Sequence, residues 1–209
     1  MPDLVTFPQR LVPVVVLEDA AHAEPLAEAL IAGGLPVAEV TLRTSAALEA
    51  LRMMARRDVM LVGAGTVVTP DQVDAAADAG ASYLVSPGLL ESVVVRARER
   101  GLPIFPGVVT PSEVMAALAL GLTTLKFFPA GQFGGVATLK SFASPFGGVR
   151  FVPTGGVDQH NLPDYLALPN VAAVGGSWMV SPKLIAAGDF EAISRLTAEA
   201  VAIASPATT

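Results

Sequence analysis

The sequence predicts a single α/β domain, a closed parallel (β/α)8 barrel, and three observations carry that prediction. From Val12 onward, short valine-rich runs alternate eight times with longer segments of helical period. The runs are apolar on both faces, as strands must be when a parallel sheet is covered on both sides. At 209 residues the chain is near the lower size limit of this barrel, so one domain over 1–209 is expected, with a short flexible tail at about 205–209. The competing architecture is an open doubly wound sheet. It would place a G-x-G-x-x-G turn after an early strand, whereas the first run ends Val16-Leu17-Glu18-Asp19.

Taken in order, the strand candidates are Val12–Leu17, Val37–Leu42, Met60–Gly65, Tyr83–Ser86, Ile104–Val108, Thr124–Phe128, Arg150–Pro153 and Val171–Val174. The helix candidates between and after them are Ala21–Ala32, Ser45–Arg57, Pro70–Ala79, Leu90–Arg100, Pro111–Leu120, Val136–Ser144, Asn161–Leu168 and Phe190–Ala204. Thr69-Pro70 and Thr110-Pro111 read as N-caps followed by a first-turn proline. Gly33, Gly80, Gly101 and Gly121 read as the glycines that end helices.

Composition excludes several function classes. The chain is 52% hydrophobic with mean hydropathy +0.57, yet no apolar run reaches spanning length without Gly, Pro or a charge. The first ten residues lack the basic-then-apolar pattern of a secretory signal, so a cytoplasmic protein without membrane partners is expected. A net charge of −6 with scattered basic residues argues against nucleic acid. The denser basic groups, Arg56-Arg57 and Arg96 to Arg100, fall late in helix candidates, where cations suit the helix dipole. No cysteine is present, and His22 and His160 lack a second ligand at metal spacing. No metal and no cofactor are expected.

The chemistry gathers at the C-terminal ends of the strand candidates, where active sites of such barrels lie. Lysine occurs at Lys126, Lys140 and Lys183. Lys140 falls in a helix candidate and Lys183 in a loop, leaving Lys126 as the one placed to enter the barrel. A lysine in an apolar run is costly unless paired or neutral, and the neutral amine is the nucleophile of imine chemistry. The alternative is a side chain that snorkels past a strand end. In Glu39-Val40-Thr41-Leu42-Arg43 the period of two puts Glu39, Thr41 and Arg43 on one face. Glu39 is the one carboxylate inside a strand candidate, suited to proton transfer or to an ion pair with Arg43 or Lys126. Arg43 offers a planar fork for a carboxylate, or a balance for Glu39. Gly63-Ala64-Gly65-Thr66 allows close approach and supplies a hydroxyl. The last two strand candidates lead into Thr154-Gly155-Gly156 and Gly175-Gly176-Ser177, glycine pairs beside hydroxyls that suit a phosphate.

These residues together resemble the class I aldolases for 2-dehydro-3-deoxy-phosphogluconate (KDPG) and 4-hydroxy-2-oxoglutarate (KHG). The likeness runs from about Val12 to Ala204 and includes Ser86-Pro87-Gly88, Lys126-Phe127-Phe128-Pro129-Ala130 and Gly175-Gly176-Ser177-Trp178. It implies Lys126 as the Schiff-base lysine, Glu39 as the general acid/base, and Arg43 with Thr66 as holders of the substrate carboxylate. Gly155, Gly156, Gly176 and Ser177 would hold phosphate, with Pro87, Phe128, Thr154 and Gly175 completing the substrate site. The Arg43 and Gly-Ser-Trp forms favour the gluconate over the galactonate type. A small keto-acid substrate and a homotrimer are also implied. A non-catalytic phosphate-binding barrel and a phosphosugar isomerase are the competing readings.

Overall fold

The computed structural model describes residues 5–205, so all of the expected tail at about 205–209 except Ser205 lies outside the described residues. Its strands are β1 (Leu11–Val15), β2 (Val37–Thr41), β3 (Leu61–Gly65), β4 (Tyr83–Val85), β5 (Ile104–Phe105), β6 (Gly107–Val108), β7 (Thr124–Phe127), β8 (Arg150–Pro153) and β9 (Val174–Gly176). The helices are α1 (Ala23–Ala32), α2 (Ala47–Ala55), α3 (Pro70–Asp78), α4 (Glu91–Glu99), α5 (Pro111–Ala119), α6 (Gly135–Ala143), α7 (Leu162–Leu166), α8 (Pro182–Ala186) and α9 (Phe190–Ala204). Every strand pairing is parallel. Six strands form one curled sheet in the order β5-β4-β3-β2-β1-β9, and β6-β7-β8 form a second. β1 and β2 are buried along their whole length, which is why the runs are apolar on both faces.

The eightfold alternation is present, but the ladder is not one continuous ring. Pro106 separates β5 from β6 and has no N–H to donate. Its carbonyl still accepts from Lys126 N at 2.9 Å. At the other seam, β8 meets the β9 region through single bridges, Phe151 to Val171 and Thr154 to Gly175. The last strand therefore begins three residues later than expected, at Val174, where its N–H reaches the Arg10 carbonyl and Leu11 sits alongside. Val171 and Ala172 instead give their carbonyls to the Arg10 guanidinium, at 2.8 and 3.3 Å.

Helix starts follow the expected local chemistry. Thr69 and Thr110 both cap, with Gln72 and Glu113 completing reciprocal capping boxes. Gly80, Gly101 and Gly121 adopt positive φ as helix-ending glycines do. Gly33 does not; that conformation falls to Gly34, at φ 79°. Gly33 is small for another reason, because a Cβ there would lie 2.6 Å from Thr197 Cβ on α9. Lys183 also departs from expectation, sitting in α8 rather than a loop, where Ser181 caps the helix and Pro182 opens it. The basic residues do more than suit a dipole. Arg57 bridges to Glu24 and Glu28 on α1, and Arg96 on α4 and Arg100 at its C-terminal cap both hold Asp74 on α3. Among the described residues no helix is long and apolar enough to cross a membrane.

Candidate active site

Glu39 is the central residue of β2, in register with Val14 on β1 and Gly63 on β3. Lys126 on β7 lies beside Gly107 and Val152. The two arrive from opposite sides of the fold, 87 positions apart, and Lys126 Nζ donates to Glu39 Oε1 at 3.2 Å. Their side chains keep 4% and 3% of their exposure, so the lysine does not snorkel. Of the partners considered for Glu39, the structure selects Lys126 over Arg43. Space for the carboxylate comes from Gly65, where a Cβ would overlap Glu39. The Phe128 ring lies 4.9 Å from Lys126 Nζ, within cation–π range, and leads into a cis peptide to Pro129.

Strand β2 is pinned on both sides of Glu39. The Thr41 hydroxyl donates to the Val15 carbonyl at 2.8 Å, and Tyr83 OH donates to the Ala38 carbonyl at 2.9 Å. Burial, with the Glu39 carboxylate adding to it, pushes the Tyr83 phenol well above its ordinary range, so it stays a donor. Glu39, Lys126 and Thr154 line one cavity, and Phe7, Tyr83 and Phe105 line it with them. The sequence reading missed those three aromatics. An aromatic in an apolar run reads as core, and no local pattern marks it as facing a site.

Arg43 lies beyond the end of β2 and is exposed. It donates from Nε to Thr66 Oγ1 at 3.0 Å, which pairs the two residues expected to hold a carboxylate. Thr66 has φ 59°, a left-handed conformation that β-branched residues rarely adopt. Such strain is typical of residues held in place for a site. Pro87 follows β4, and its carbonyl occupies the space a Cβ on Gly107 would need. The Ser86 hydroxyl donates to the Gly88 carbonyl at 2.7 Å and folds this turn.

The two glycine loops lie side by side through the Thr154 to Gly175 bridge. Gly155 and Gly156 have φ of 89° and 76°, and Ser177 is exposed with no side-chain partner at its helix start. Gly175 and Gly176 also have packing reasons to be glycine. A Cβ at Gly175 would overlap Thr154 Oγ1, and one at Gly176 would overlap the Trp178 ring.

The site thus sets a buried lysine against a buried carboxylate, with a guanidinium and a hydroxyl paired beyond the end of β2, on an α/β scaffold of parallel strands. Residues 5–196 match the model of the aldolase family described as KDPG and KHG aldolase. The chain belongs to that family. It is 47% identical to the KHG/KDPG aldolase of Escherichia coli K12 over 192 residues, 91% of this chain and 90% of that one. Its fold resembles a KDPG aldolase of Legionella pneumophila with pyruvate captured as a covalent carbinolamine, at TM-score 0.88, 42% identity and coverage of 90% and 92%. It also resembles the 2-keto-3-deoxy-6-phosphogluconate aldolase of Zymomonas mobilis with 3-phosphoglycerate, at TM-score 0.88, 45% identity and coverage of 96% and 94%.

Proposed function

We propose that the protein is a class I aldolase that cleaves KDPG to pyruvate and glyceraldehyde 3-phosphate, and KHG to pyruvate and glyoxylate. The observation that carries this is the 3.2 Å contact between two buried groups, Lys126 and Glu39. Glu39 takes a proton from Lys126 Nζ, and the neutral amine adds to the C2 carbonyl of the keto acid, giving, after transfer of a proton from nitrogen to oxygen, a carbinolamine. Glu39 protonates the departing hydroxyl, water leaves, and the protonated imine becomes the electron sink. Glu39, now a carboxylate, takes the proton of the C4 hydroxyl. The C3–C4 pair flows into the imine, the aldehyde departs, and an enamine remains. Protonation at C3 and hydrolysis return the amine and release pyruvate.

In this reading Arg43 and Thr66 hold the C1 carboxylate, while Pro87, Phe128 and Thr154 shape the site around the reacting carbons. Gly155, Gly156, Gly175, Gly176 and Ser177 face the phosphate. The two sheets close as a single (β/α)8 domain: β5 and β6 are one strand interrupted at Pro106, and the Phe151–Val171 and Thr154–Gly175 bridges link the β8 and β9 regions. The homotrimer implied by the family resemblance needs an apolar contact face, and the exposed side of α5, with Met115 at 63% and Leu118 at 38% exposure, is one candidate for it. The direct test is coupled detection of pyruvate from KDPG and from KHG. Release from at least one is expected, and release from neither overturns the proposal.

A further inference from the structure

The Glu39–Lys126 pair meets its substrate from the C-terminal ends of the strands, so water must also be kept from reaching it through the opposite end of the sheet. What closes that end is visible in the residues ahead of β1. Phe7 is 7% exposed and lies four residues ahead of the start of β1. Its ring lies 5.3 Å from the Tyr83 ring, edge on at 81°, and 5.7 Å from Phe105, while Tyr83 and Phe105 are 6.0 Å apart. All three line the same cavity as Glu39 and Lys126. The cavity that they share with the pair holds about 10 Å³ of space, roughly what a single water requires.

The segment carrying Phe7 is fastened. Arg10 N donates to the Phe7 carbonyl at 2.9 Å, closing a turn, and Val174 N donates to the Arg10 carbonyl at 2.9 Å. The Arg10 guanidinium reaches the Val171 and Ala172 carbonyls. Arg10 takes φ 55° to make these contacts together, an uncommon conformation for a residue with a Cβ.

We propose that Phe7, latched by Arg10, completes an aromatic floor with Tyr83 and Phe105 that keeps bulk water from the Glu39–Lys126 pair, making Phe7 a positioning residue for the proposed imine chemistry. The inference rests on that chemistry for its kinetic consequence and on packing alone for its structural one. Without the Phe7 ring, water enters beneath the pair, competes for the 3.2 Å hydrogen bond and raises the local dielectric. Substrate anchoring at Arg43 and Thr66 is untouched.

The experiment compares Phe7→Leu, Phe7→Val and Phe7→Ala. Turnover should fall in that order, to about a tenth in Phe7→Ala, with KM within about twofold of the parent and Phe7→Leu close to it. Crystal structures of the variants that fold should show new water within hydrogen-bond distance of Glu39. Dry cavities in Phe7→Val and Phe7→Ala overturn the floor, as do unchanged kcat values in folded variants or a Phe7→Leu loss as large as that of Phe7→Val. A parent protein inactive on both keto acids would instead overturn the aldolase reading, and the crystallographic comparison would still decide the floor.

Discussion

Glu39 and Lys126 are each the wrong kind of residue for a parallel strand, and each is tolerated because the other is 3.2 Å away. Changing Glu39→Gln keeps a hydrogen-bonding group of the same shape opposite the amine but removes the base. The fold should survive, with kcat lower by about a hundredfold or more, as checked by kinetics alongside circular dichroism. An unfolded variant would point to a structural pair instead. Thr66 offers a second test at this scale. Thr66→Gly relieves a left-handed strain of about 1–2 kcal/mol, of which glycine's own flexibility takes back part. Thermal stability should therefore hold or rise, while KM for the keto acid increases several-fold because Arg43 loses its partner; a lower melting temperature with unchanged KM would contradict this. The charged pair was legible in the sequence because polarity within an apolar run is a signal. Phe7, Tyr83 and Phe105 were not, because their distances depend on how three separate elements meet.

At the scale of elements, the period and the capping pairs Thr69-Pro70 and Thr110-Pro111 placed α3 and α5 correctly. The last strand was misplaced because its start depends on Arg10 and Leu11, at the other end of the chain. The clamp between α3 and α4 gives a pH prediction. Hydrogen bonds from Arg96, then Arg100, outweigh partial burial and hold the Asp74 carboxyl below its ordinary 3.8. A depressed carboxylate stabilises the fold fully above that value, and the contribution disappears as pH falls through the lower folded value. Asp74→Asn should thus melt at a lower temperature than the parent near pH 7, with the gap narrowing once the pH drops below about 4. A gap that stays constant down to pH 3 would mean the ion pairs contribute nothing. For the phosphate loops, Ser177→Ala is the clean probe, since a larger residue at Gly176 would displace Trp178 whatever the substrate. Efficiency on KDPG should fall by about tenfold while that on KHG stays within about twofold, and equal losses on both would remove Ser177 from the phosphate site.

For the molecule as a whole, every proposed role depends on β2 and β7 facing each other across one enclosure, and the ladder breaks at Pro106 and before Val174 show where that enclosure is least regular. Alternation alone could not reveal those seams, because a missing N–H and a single bridge leave the hydrophobic period unchanged. The central claim is that the amine at the middle of this enclosure forms a covalent imine with its keto acid. Borohydride reduction in the presence of pyruvate, followed by peptide mass mapping, tests it most directly. One reduced pyruvyl adduct is expected, on the peptide carrying Lys126, and none in Lys126→Ala; an unmodified protein, or an adduct that persists in Lys126→Ala, would rule out an imine at this lysine.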